Sequence, residues 1–132
     1  MNTFLIDQME KLRCKAAPIE ADYERFLVKI DFEIDKEFLE WTRTYGEAAG
    51  FVSPDRFLQF WSIDDMVVLN PYYEDIKECE SLFFFASNGS NLGYAFDKTN
   101  GKIVSIDFLD IGDVEPTASG ESFTDFLRLL VI

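Results

Sequence analysis

Three apolar runs cut by two Asn/Gly turns, spanning Ser81 to Phe108, constrain the fold of this chain more than any other stretch. Ser81–Ala86 (SLFFFA) is apolar almost without a break, which suits a strand buried on both faces. Ser87–Asn91 and Asp97–Gly101 carry turn chemistry, because Asn and Gly accept positive φ at little steric cost. Leu92–Asp97 alternates, with Leu92, Tyr94 and Phe96 on one face. Lys102–Phe108 alternates again, setting Val104, Ile106 and Phe108 opposite Ile103, Ser105 and Asp107. The pattern predicts a three-stranded antiparallel meander at the centre of a sheet.

The flanks read as helices with one further strand. Phe4, Leu5, Met9 and Leu12 have helical spacing, predicting a helix from Thr3 to about Lys15 that ends before Pro18. A second helix is expected from Pro18, with Ile19, Tyr23, Phe26, Leu27 and Ile30 as its apolar stripe. Asp35 is the expected N-cap of a third, which carries Phe38, Leu39, Trp41 and Tyr45 and stops at Gly46. Tyr45–Phe51 reads as a loop and Arg56–Trp61 as a strand. Ser62 should cap a short helix over 63–69 that ends at Asn70-Pro71. Tyr72–Glu80 is then an acidic connector, and Leu109–Ala118 could supply an edge strand around Pro116. Ser122 should cap a final helix whose inward face is Phe123, Phe126, Leu127, Leu130 and Val131. The expectation is one α+β domain over residues 1–132, a central antiparallel meander with N-terminal helices and a C-terminal helix packed around it.

The chemistry available is narrow. Histidine is absent, which removes His-based nucleophile pairs, His-containing zinc sites and the usual neutral-pH base. Cys14 and Cys79 are far apart, form no CxxC pair and are expected as free thiols. Asn88–Gly93 lacks the Lys-Ser/Thr of a phosphate loop. Asp107, Asp110 and Asp113 recur every third residue and Asp64 adjoins Asp65, but neither spacing matches a calcium-binding loop, so both read as solvated acidic faces. No catalytic residue, cofactor or metal is expected, and the chain is read as a non-enzyme.

Charge narrows the partners. Asp and Glu total 25 against 12 Lys and Arg, a net charge of -13. Nucleic acid and anionic membranes repel such a surface and are not expected partners. The charge serves either solubility or attraction of a basic partner. The N-terminus has no basic region and Asp7 and Glu10 interrupt its apolar run, which argues against a signal peptide and for the cytoplasm. Trp41 and Trp61 read as core, whereas Tyr72 and Tyr73, beside Pro71 and an acidic run, read as surface aromatics.

Four runs taken in order resemble a known family. Phe38–Phe51 resembles a helix and glycine-bearing turn, with Tyr45 where that family usually has Asn. Leu58–Asn70 resembles a strand followed by Trp, Ile, an acidic pair and a closing Asn. Phe83–Asp97 and Ser122–Leu127 resemble the central hairpin and the closing helix. Together, from about Pro18 to the C-terminus, they resemble the SUKH superfamily, which includes yeast cell-wall-assembly regulators and many bacterial immunity proteins. The resemblance implies an antiparallel sheet with packed helices and a non-enzymatic binding role. The role implied first is neutralisation of a basic toxin domain, often a nuclease, of a polymorphic or contact-dependent system. The alternative is a regulatory or scaffold module of cell-wall assembly or signalling. The residues expected at the partner contact are Asp64, Asp65, Tyr72, Tyr73, Glu74, Asp75, Asp107, Asp110 and Asp113.

Overall fold

The computed structural model describes residues 1–132. Its centre is a seven-stranded sheet in which every strand pairs antiparallel with its neighbours in sequence: β1 (Arg13–Cys14), β2 (Ala48–Ser53), β3 (Arg56–Phe60), β4 (Leu82–Ser87), β5 (Leu92–Asp97), β6 (Ile103–Asp107) and β7 (Thr117–Gly120). Five helices accompany it: α1 (Thr3–Glu10), α2 (Glu20–Lys29), α3 (Lys36–Tyr45), α4 (Ile63–Glu74) and α5 (Phe123–Leu130). This is the α+β architecture that the apolar pattern predicts.

The expected meander is β4–β5–β6, and its side chains divide as alternation requires. Phe83, Phe85, Tyr94, Phe96 and Ile103 face a large core shared with Leu5 and Met9 of α1, Tyr23 and Phe26 of α2, Phe38 and Trp41 of α3, and Phe123, Phe126 and Leu127 of α5. Leu82, Phe84, Ala95 and Ile106 face the other way into a smaller cluster with Cys79, edged by Trp61, Tyr73, Ile76, Phe108 and Ile111. β4 is buried along its whole length because it contributes to both. Gly93 is required on β5, since a Cβ there would strike the ring of Phe108 lying across the strand.

Two polar residues tie helices to this frame. Asp35 caps α3, one oxygen accepting from the backbone N–H of Glu37 at 2.8 Å and of Phe38 at 3.4 Å. Its other oxygen accepts from Phe123 N–H at 2.9 Å, so one carboxylate holds the first turns of both α3 and α5. Asn70 is buried in the middle of α4. Its side-chain oxygen accepts from Phe84 N–H at 2.7 Å and its amide donates to Phe84 C=O at 2.9 Å and to Met66 C=O at 2.8 Å. β3 pairs with only the far end of β4, through Gln59–Ser87 and Phe60–Ala86. Asn70 therefore completes the strand edge that β3 leaves open, and α4 runs beside the first half of β4.

That anchoring explains why α4 does not stop at Asn70-Pro71. A residue before proline avoids the helical region, but three side-chain bonds hold Asn70 in place and the helix continues through Pro71 to Glu74. The connector that follows is a single 3-10 turn, Lys77–Cys79. Other expectations also change. The first helix ends at Glu10, not near Lys15, and the chain then forms β1 against β2. The stretch read as a loop contains β2, starting at Ala48, and Gly50 lets the chain leaving α1 come close there, since a Cβ would sit 3.0 Å from the Lys11 carbonyl oxygen and 3.1 Å from the Leu12 side chain. α2 begins at Glu20, leaving Ile19 exposed ahead of it and Leu27 half-exposed, so its buried stripe reduces to Tyr23 and Phe26. Residues 109–114 form turns, and the edge strand begins after Pro116. Trp41 is fully buried as expected, while Trp61 is only partly so.

Candidate functional site

α4 is built to be helical at its start. Ser62 accepts from Asp65 N–H at 3.1 Å, and Asp64 and Asp65 place negative charge at the positive end of the helix dipole. Its inward positions are Ile63, Met66 and Asn70, at the three- and four-residue spacings that share a face. The run Met66-Val-Val-Leu69 is apolar at four successive positions, about 100° apart around the axis. One face cannot bury all four. Val68 is consequently 60 % exposed and Leu69 36 %, and Tyr72, one turn beyond Val68, is 71 % exposed.

The outward face thus reads Asp64, Asp65, then Val68, Leu69 and Tyr72, then Asp75, over about 16 Å of helix. It is an apolar centre with carboxylates at both ends. Asp64, Asp65 and Asp75 enter no ion pair. Lys15 feels the charge of Asp65 but is bonded to Glu47 at 2.7 Å. At the far end Glu74 and Asp75 lie beside the unpaired carbonyls of the last turn, where negative charge disfavours a helix and no basic residue compensates within it. Glu74 is met by Lys98 at 3.3 Å, which also pairs with Asp31. Val28 of α2, a helix packed against α4, is a further apolar side chain left 82 % exposed.

The other expected contact residues fall differently. Tyr73 is not a surface aromatic: its ring packs on Phe84 at 4.7 Å and on Phe108 at 5.8 Å, and burial raises the pKa of its phenol. Asp107 is half-buried and structural, accepting from the Asn91 side chain at 2.8 Å and from Leu109 N–H at 2.9 Å. Asp110 and Asp113 are exposed on successive turns. Through the Tyr73–Phe108 contact these turns lie on the same side of the sheet as the C-terminal end of α4. Asp64 and Asp65 are at the opposite end of the helix. Val68 and Leu69 are the surface residues that the sequence reading missed, although the four-residue apolar run was visible.

No three His, Cys, Asp or Glu side chains come together as a metal site would require. Cys14 and Cys79 are both free. Burial, with Glu78 adding to it, holds the Cys79 thiol above its ordinary pKa, which keeps it protonated and weakly nucleophilic. No helix is long and apolar enough to cross a membrane. No family model matches the chain, and no curated protein matches it.

Proposed function

We propose that this chain is a non-enzymatic binding protein of the SUKH kind, an immunity protein that neutralises a basic toxin domain by docking it on the outward face of α4. The observation that carries this reading is the apolar face of α4, which the fold leaves uncovered. Val68, Leu69 and Tyr72 would supply the desolvated centre of a contact and the unpaired carboxylates its charged rim. Asp64 and Asp65 would take Lys or Arg side chains at one end of the helix. Asp75 would take them at the other, beside Glu74, which Lys98 already pairs, and there a cation also offsets the unfavourable end of the dipole. Asp110 and Asp113 would extend the acidic rim, and the net charge of -13 would speed encounter with a basic nuclease surface.

Co-expression with any toxin domain found encoded beside the gene tests the reading. Protection of the cells and co-purification of a complex are expected, with an association rate that falls as salt is raised. A neighbouring toxin against which the protein neither protects nor binds would contradict it.

A further inference from the structure

An open groove of about 510 Å³ runs between the β2–β3 hairpin, the ends of β5 and β6, and α5, and it shares no residue with the outward face of α4. Its volume is in the range of small-molecule sites. Phe57, Leu92 and Leu129 are among its apolar walls. Its polar groups are Asp55, Arg56, Asn88, Ser105, Ser119 and the hydroxyl of Tyr94. Arg56 donates from one terminal nitrogen to the Leu129 and Leu130 carbonyls at 2.9 and 3.4 Å, and its other nitrogens have no protein partner. Tyr94 is 6 % exposed, lines the groove, and makes no hydrogen bond within the protein through its hydroxyl. The Ser119 hydroxyl lies 2.9 Å from that of Ser105 and 3.4 Å from the Thr117 carbonyl, so both protons of the pair have acceptors within the protein. The one acid in the lining, Asp55, accepts from Ser53 at 3.3 Å.

We propose that this groove binds a small aliphatic carboxylate, with Arg56 and the Tyr94 hydroxyl holding the carboxylate and the apolar walls holding the chain. The Tyr94 hydroxyl is the accessible tip of an otherwise buried ring and reaches the groove, where water or a ligand can serve it. Burial holds Tyr94 above the ordinary phenol pKa against the opposing pull of Arg56, so it is a donor at neutral pH and suits an acceptor ligand. An anion approaching so acidic a chain needs a local cation, and Arg56 is the cation that lines this groove. A guanidinium beside a hydroxyl donor fits a carboxylate, because charge-assisted bonds to both oxygens are then available.

Calorimetric titration of the full chain with octanoate, and separately with 1-octanol, tests the proposal. Octanoate should bind saturably and octanol at least about tenfold more weakly, the difference being the charge-assisted contact. Arg56→Gln should weaken octanoate about tenfold or more. Tyr94→Phe keeps the ring on Phe126, 4.8 Å between centroids, and should weaken octanoate by about three- to tenfold. Because Arg56 also ties down α5, Tyr94→Phe decides the matter if the arginine variant does not fold. Absence of saturable octanoate binding, equal binding of octanol, or wild-type octanoate affinity in Tyr94→Phe would overturn the proposal. None of these outcomes bears on the α4 face.

Discussion

α3 and α4 are neighbours in the chain, similar in length and capped the same way, yet their outer faces differ. α3 buries Phe38 and Trp41 and turns Lys36, Glu40, Arg43 and Thr44 to solvent. Its polar face belongs to a helix whose work is finished once it has packed. α4 buries Ile63, Met66 and Asn70 and turns Val68, Leu69 and Tyr72 outward. Folding accounts for both inner faces and for the outer face of α3, but not for the outer face of α4. Exposed apolar side chains at helical spacing, bounded by unpaired acids, are what a partner contact would need.

Substitutions of four kinds should separate the two helices. Phe38→Ala should cost the most, about 3–5 kcal/mol in a denaturant melt, because the ring is fully buried among Phe85, Phe96 and Phe123. Asn70→Ala should cost about 3 kcal/mol, since it strands the buried N–H and C=O of Phe84; a loss below about 1 kcal/mol would mean that α4 does not close the sheet edge. Asp35→Ala should cost about 2 kcal/mol, near the top of the range for a cap, because two helices lose their anchor together. Its cost should exceed that of Ser62→Ala, whose side chain accepts a single bond. Val68→Ser and Tyr72→Ser on the outer face should each move stability by no more than about 0.5 kcal/mol. A large loss there would remove the contrast between the helices.

The sheet was legible in the sequence where a strict period of two met turn residues, as in Leu92–Asp97 and Lys102–Phe108. Asp35 and Ser62 were legible as caps because capping is a local bond. Long-range bonds were not. Nothing near Asn70 announces that Phe84, fourteen residues on, needs a partner, so Asn70-Pro71 reads in sequence as a helix end. β2 was hidden by Gly46 and Gly50, which read as loop glycines. Gly46 does end α3, at φ 66°, but Gly50 serves a close approach of Lys11 and Leu12 that only the fold creates. In the candidate site, exposure of Asp64, Asp65, Tyr72 and Asp75 followed from their polarity or their neighbours. Tyr73 and Asp107 depart from the expectation of exposed groups because a phenol packing on Phe84 and a carboxylate holding a turn look, in sequence, like surface groups.

The most direct test of the proposed α4 contact is the affinity of the double variant Val68→Ser/Tyr72→Ser for a toxin domain that the wild-type protein binds, measured by calorimetry together with a thermal melt. The account predicts at least about a hundredfold loss of affinity, the size expected when central apolar anchors are removed, with the melting temperature unchanged. Wild-type affinity in a variant that remains folded would contradict it.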